Sequence, residues 1–219
     1  MNTNWKLSEY HFVFPGSVLW RVTPEGVEVQ GGGLIPASQA ALERAKQFAE
    51  QFGSAIAGAS QKTDVPVELI LACCLTEAGD KDPARSIRYE PGYISDSATP
   101  NRISIGLGQL LISTARTAMK NPNIDRHWLF NPNNNCLACA SYIAQQKNLT
   151  RFDPVCVACA YNAGGLYENK SERNRWRLRQ FPIGTSKHAD RFCENFAAAL
   201  KVAETHPVLR QAKRFKEIL

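Results

Sequence analysis

Proton transfer by a buried carboxylic acid is the first chemistry this chain offers, and Glu77 is the residue that offers it. It closes the stretch Leu69-Ile70-Leu71-Ala72-Cys73-Cys74-Leu75-Thr76-Glu77-Ala78-Gly79-Asp80. Asp64 as a cap, Pro66 in the first turn and Gly79 as a stop predict one short helix. Ile70, Cys73, Cys74 and Glu77 fall at helical spacing. The carboxylate is therefore expected on an apolar stripe and in the last turn, where the helix dipole disfavours negative charge. Desolvation acts in the same direction. Both raise a carboxyl pKa, and a glutamic acid kept protonated near neutral pH is what general acid catalysis of glycoside cleavage requires. The competing reading is a helix-end glutamate turned to solvent.

The elements that would position this acid follow from periodicity. Residues 17–30 alternate Val18, Trp20, Val22 and then Val27, Val29 around Thr23-Pro24-Glu25-Gly26, the pattern of a β-hairpin. Gly31-Gly32-Gly33 breaks that pattern, and a boundary is expected near residue 35, between an N-terminal β appendage (1–35) and a helical body (36–219). Leu42, Ala45, Phe48, Ala49, Phe52 and Ile56 form one stripe of a helix over 38–59. Residues 80–104 carry no sustained period and read as a long loop, and loops of this length are usually functional. Helices are expected again over 109–120, 133–147, 153–162, 188–204 and 207–219. The fold class predicted is mainly α with a short β-hairpin at the N-terminus.

The totals narrow the function classes. A chain of 219 residues can bury one sizeable core. Residues 1–16 lack the basic start and unbroken apolar run of a secretory signal, so the product is expected to begin in a cytoplasm. A net charge of +6 and a pI near 9.0 favour acidic partners: nucleic acid, anionic membrane or an anionic bacterial wall. Seven cysteines sit mostly within apolar helical patterns and read as reduced thiols. Cys136-x-x-Cys139 and Cys156-x-x-Cys159, sixteen residues apart, match zinc-ribbon spacing. Each pair lies in a helix without a knuckle turn, which favours packing over metal binding. No metal or cofactor is expected. Arginine and Trp176 interleave over 172–179; this segment reads first as a solvated loop, and otherwise as a track for an anionic polymer with Trp176 on a sugar face.

Four pieces occur in a telling order: Thr76-Glu77-Ala78-Gly79; Ser104-Ile105-Gly106-Leu107-Gly108-Gln109; Asn131-Pro132 through Asn135 with Tyr142-Ile143; and Ala160-Tyr161-Asn162-Ala163-Gly164. Together they resemble the soluble lytic transglycosylase domain, a peptidoglycan-cleaving relative of goose-type lysozyme, over about residues 60–200. The resemblance implies a lysozyme-like helical fold, Glu77 as acid/base, a sugar cleft lined by Gln109, Tyr161 and Asn162, and peptidoglycan glycan strands as the partner. It also implies that the turn of Gly106 and Gly108 brings backbone close to substrate. The residue types suit these roles: amides can read N-acetyl groups, and a tyrosine can pack on a pyranose while offering its hydroxyl. Ser104, Glu90 and Tyr93 complete the substrate-binding candidates. Three positions depart from the family pattern: Ala78 stands where serine is usual, Gly108 where methionine is usual, and Cys139 where glycine is expected.

The segment Tyr89-Glu90-Pro91-Gly92-Tyr93 resembles an insert of phage-encoded members. It points to delivery by a phage tail or at lysis, with action in the periplasm or wall. The expected reaction breaks the bond between N-acetylmuramic acid and N-acetylglucosamine and leaves 1,6-anhydro-muramyl ends. Hydrolysis aided by Glu90, Asp82 or Asp96 is the nearest rival. A structural tail component and a zinc-dependent nucleic-acid module are the others.

Overall fold

The computed structural model describes residues 1, 5–78 and 82–219, so that Gly79 and Asp80, expected at a helix stop, lie outside the described residues. About half the chain is helical, with small antiparallel sheets. The segment from Leu69 to Leu75 is apolar on every side, and a helix of that kind must be enclosed by others. Accordingly α2 (Val67–Glu77) is buried from Val67 to Thr76. Around it stand α1 (Gln39–Thr63), α5 (Pro132–Gln145), α7 (Pro154–Ala163) and α8 (Lys187–Thr205).

Local sequence explains these helices. Ser38 accepts from the Ala41 N–H to start α1, whose buried Ala45, Phe48, Ala49, Phe52 and Ile56 face α5 and α8. Asn131 and Asp153 cap α5 and α7, each followed by proline at the first helical position. Asp64 does not cap α2 as expected. It ends α1 in the left-handed conformation, with φ of 62°, and its carboxylate meets Lys213 at 2.6 Å. Pro66 pushes Val65 out of helical geometry, so α1 must stop before α2 can begin. Three short helices, α3 (Ile112–Met119), α4 (Arg126–Phe130) and α6 (Lys147–Thr150), make the connections. Among the described residues no helix is long and apolar enough to cross a membrane.

The helix expected over 207–219 is replaced by two 3₁₀ turns, Leu209–Gln211 and Phe215–Glu217. The cause is Glu68, in the first turn of α2. Its carboxylate accepts from Arg214 Nε at 2.6 Å and from the Phe215 N–H at 2.9 Å. That N–H cannot also serve an uninterrupted helix.

The hairpin forms as its alternation predicts, with β1 (Trp20–Thr23) against β2 (Gly26–Val29) in the register Trp20 to Val29 and Val22 to Val27. Gly31-Gly32-Gly33 does more than break the chain, for it turns a third strand, β3 (Gly33–Leu34), back onto β2. The sheet is packed into the common core through Trp20, Val22, Val27 and Val29. Asp153 is its anchor. While its Oδ1 caps α7, its Oδ2 accepts from Trp20 Nε1 at 2.9 Å and lies 3.0 Å from His11 Nε2. The arginine-rich segment joins the same junction. Trp176 is fully buried edge-on against Trp20, and its Nε1 and Arg175 both donate to Asp190 Oδ1. The solvated-loop reading of 172–179, and the sugar platform offered for Trp176, are thereby corrected.

The stretch read as a loop over 80–104 also differs. A 3₁₀ turn (Pro83–Arg85) and β4 (Ile87–Tyr89) lead to β5 (Ile103–Ile105) and β6 (Leu110–Leu111), an antiparallel sheet in the order β4-β5-β6. Strands of two or three residues hold too few alternations for period 2 to register in sequence.

Candidate active site

Glu77 sits at the C-terminal end of α2, and two side chains fix that end. Arg44 of α1 donates to the Leu75 carbonyl at 2.7 Å, a cation where the helix dipole is negative. Asn195 of α8 donates to Thr76 Oγ1 at 3.0 Å. The carboxyl that follows is only 8% exposed. Burial pushes its pKa up to about 7, against the opposing pull of Arg88 and Arg191. Unlike an ordinary carboxyl, this acid therefore keeps a substantial protonated population near neutral pH.

It faces a cleft of about 810 Å³. One wall comes from β4 and the β5–β6 sheet, with Arg88, Glu90, Ser104 and Gln109. The other comes from Tyr142 of α5, Tyr161 and Asn162 of α7, and His188 and Arg191 of α8. A smaller hollow of about 210 Å³ continues past Thr114 and Tyr142 to Ser113, Thr117 and Gln145.

The turn between β5 and β6 is built around one buried amide. Asn135 Nδ2 donates to the Ile105 and Leu129 carbonyls at 3.0 and 2.9 Å, and its Oδ1 accepts from the Gly108 N–H at 2.9 Å. Gly106 holds φ of +73°, and a side chain there would run into the Asn135 amide. Gly106 thus shapes the turn and does not itself line the cleft, whereas Ser104 and Gln109 on either side of the turn do. Gln109 donates through Nε2 to the Gly106 and Ser86 carbonyls, which leaves its amide oxygen without a protein donor among the described residues. Removing the amide at 135 would orphan three buried backbone groups at a cost of about 1–3 kcal/mol each. Asn135→Ala is expected to destabilise the fold by roughly 3 kcal/mol or more in denaturant unfolding, whereas a loss below about 1 kcal/mol would mean that water replaces the side chain.

The remaining site candidates divide. Asn162 lines the cleft, and its Oδ1 accepts from the Phe181 N–H at 2.6 Å, so its NH₂ group is the end left for a ligand. Tyr161 is 8% exposed and its hydroxyl donates to the Gly108 carbonyl at 2.7 Å. The hydrogen of this hydroxyl is thus committed to the turn, so what it offers towards the cleft is an acceptor. Tyr93 lies outside the cleft, bonded to Asp96 at 2.8 Å and tilted against Tyr89. Asp96 is held by both nitrogens of Arg126 at 2.6 and 2.7 Å. Asp82 begins the 3₁₀ turn and does not line the cleft. Of the three extra carboxylates only Glu90 does, paired with Arg88 at 3.1 Å. His188, whose Nε2 is 3.5 Å from Glu77 Oε1, carried no signal in sequence. It is 111 positions from Glu77 and opens an ordinary amphipathic helix.

All seven cysteines are free and buried. The two Cys-x-x-Cys pairs take different neighbours, Cys139 meeting Cys73 of α2 at 3.6 Å and Cys159 meeting Gln180 at 3.7 Å. Burial pushes the Cys73 thiol well above its usual range. Among the described residues no group of three or more His, Cys, Asp or Glu side chains is arranged to hold a metal ion.

The sequence model of the transglycosylase SLT domain matches residues 54–181, more than half the chain, a span that contains Glu77, Gln109, Tyr161 and Asn162. Among solved structures, the chain is similar to the lytic transglycosylase Slt of Pseudomonas aeruginosa, determined as an inactive glutamate-to-glutamine mutant, with 17% identity and a TM-score of 0.50. That likeness, which establishes the fold, covers 72% of this chain and 25% of the Pseudomonas protein, so the chain spans about a quarter of its relative's length. No curated protein sequence matches. On the strength of the family match and the shared fold, the chain belongs to the transglycosylase SLT domain family, whose members cleave glycosidic bonds of peptidoglycan.

Proposed function

We propose that this chain cleaves the bond between N-acetylmuramic acid and N-acetylglucosamine in peptidoglycan as a lytic transglycosylase, with Glu77 as both acid and base. The observation that carries the reading is Glu77, among the described residues the one buried carboxylic acid lining the cleft, where burial pushes its pKa up to about 7. The inactive form of the Pseudomonas relative exchanges a glutamate for glutamine, which supports a glutamate as the essential group. Glu77 gives its proton to the departing glycosidic oxygen while the substrate's acetamido group stabilises the developing cation. The resulting carboxylate then takes the proton of the muramyl primary hydroxyl as that oxygen closes the ring. No water is consumed. Gln109 and Asn162 offer an acceptor and a donor to the N-acetyl groups, with Ser104 beside them. A wall polymer as substrate means action in the periplasm or wall, and delivery with a phage particle or at lysis is the route this reading favours.

Mass spectrometry of products from digested peptidoglycan tests the proposal: 1,6-anhydro-muramyl ends are expected. A second reading, hydrolysis, is favoured by one observation, that Glu90 shares the cleft. Inverting and retaining glycosidases both need such a second carboxylate. Products with only reducing muramyl ends would establish it, and Glu90→Gln would then remove activity. The pH profile gives an independent check. Because free Glu77 must be protonated to act as acid, kcat/KM should be level below about pH 7 and fall about tenfold per pH unit above it. A profile that rises through pH 7 would exclude Glu77 as the acid.

A further inference from the structure

His188 lies beyond the family match, which ends at residue 181, yet it stands beside the Glu77 carboxyl on the α8 side of the cleft. Its imidazole is 4% exposed, and Nε2 stands 3.5 Å from Glu77 Oε1. The ring's other polar contact is with the Ala158 backbone of α7. A carbonyl only accepts, so the ring nitrogen facing it must carry the hydrogen. With that hydrogen on Nδ1, Nε2, which stands 3.5 Å from Glu77 Oε1, turns a lone pair to the carboxyl. A lone pair can share a hydrogen with Glu77 only while Glu77 holds one; against the carboxylate it is repulsive.

We propose that His188 is a positioning residue that acts through Glu77, accepting the hydroxyl hydrogen of the acid and facing the carboxylate with a lone pair, so that the proton is favoured on Glu77 in both halves of the reaction. Before bond cleavage the contact keeps the acid charged with its proton. After the proton has left for the glycosidic oxygen, the unpaired contact makes the carboxylate a stronger base towards the primary hydroxyl of the muramyl ring. A transglycosylase needs both, since one group must give and retake a proton without water. Burial, with Arg191 and Arg88 adding to it, pushes the pKa of His188 down to about 4, so the ring stays neutral while Glu77 titrates. Among the described residues the other groups facing the pair are Cys73 of α2, Cys139 of α5 and Tyr161 of α7, and each raises or leaves unrelieved the cost of a carboxylate at 77, whereas Arg88 of β4 and Arg191 of α8 lower it. His188, with Nε2 3.5 Å from Glu77 Oε1, would discriminate by accepting a hydrogen rather than by charge.

The catalytic half of this inference rests on the reaction proposed above, and the test separates the two. In wild-type protein labelled with ¹⁵N-histidine, long-range NMR should report His188 as the neutral ring with hydrogen on Nδ1 from about pH 5 to about pH 8. Hydrogen on Nε2, or protonation of the ring near its ordinary pKa, would overturn the proposal whatever the enzyme does. In His188→Leu, which fills the space without an acceptor, the ¹³C titration midpoint of the Glu77 carboxyl should fall by about one pH unit, the worth of one buried hydrogen bond. The descending limb of the kcat/KM profile should move with it, giving about a tenfold loss at pH 8 and little change at pH 5. An equal loss at every pH with an unmoved midpoint would mean that His188 only fills space, and would also overturn the proposal. Should peptidoglycan prove the wrong substrate, the two NMR results still decide the contact.

Discussion

Glu77→Gln is expected to abolish wall lysis, a loss of at least ~10²-fold, because the amide keeps the shape of the acid and has no proton to transfer. The same substitution should make the protein more stable, which a merely disruptive change would not. The sign follows from the titration. The folded acid has a pKa of about 7 against an ordinary 4.5, so folding favours the protonated form. Its contribution is fully present below about pH 4.5 and is lost as pH rises through about 7, where the chain must bury a carboxylate. The rise corresponds to about 3 kcal/mol. Chemical denaturation at pH 8 should therefore show the variant ahead of wild type by up to roughly 3 kcal/mol, with the two converging at pH 4. Equal stability at both pH values would mean that Glu77 is not held in a desolvated pocket.

The second large effect lies at the opposite end of the same helix. Glu68 is fully buried, and Arg214, 6% exposed, is the cation that meets it. Removing one partner of such a pair leaves an uncompensated charge in the interior, at about 3–5 kcal/mol. Arg214→Met is expected to lower stability by that amount near neutral pH. Burial already holds the Glu68 carboxyl above its usual range even with Arg214 present, so the deficit should shrink as the pH falls and Glu68 takes up a proton. Replacing both residues by methionine should recover most of the loss. A single variant as stable as wild type at pH 7 would show that the pair contributes nothing. A double variant no better than the single would show that shape, not charge, is what Arg214 supplies.

The sequence made legible what depends on local pattern. The apolar helix that ends in Glu77, the stripe of α1, the helices α5 and α7 and the hairpin around Thr23-Pro24-Glu25-Gly26 all follow from residue order within one turn or one strand pair. The acid and the two amides of the cleft were legible for a different reason, namely that four short motifs keep their order. What escaped were contacts between residues far apart in the chain. Asn135 reads as one asparagine among several after Pro132, yet it is the only one whose amide is shared among three backbone groups of two other elements. Trp176 among arginines looks like a surface platform; the arginines do lie outward, but the indole finds Trp20 and Asp190. Tyr161 keeps its expected place and loses its expected freedom, because Gly108 offers its hydroxyl a carbonyl at 2.7 Å. His188 had no local pattern to betray it. The boundary expected near residue 35 falls between β3 (Gly33–Leu34) and α1 (Gln39–Thr63), and the carboxylate of Asp153 and the ring of Trp176 tie the two sides of it together.

Two of the positions that depart from the family pattern touch one another. A side chain started at Gly108 would stand 2.7 Å from the Tyr161 hydroxyl and 3.1 Å from Cys139 Cβ. The volume that the family pattern puts at 108, and withholds at 139, has here changed sides of one contact. Column-by-column comparison counts this as two separate losses of resemblance, but in space it is a single exchange. A side chain restored at 108 would meet the Tyr161 hydroxyl at 2.7 Å before Cys139 Cβ at 3.1 Å, so emptying position 139 alone would not make room for it: the hydroxyl that holds the Gly108 carbonyl would have to leave as well.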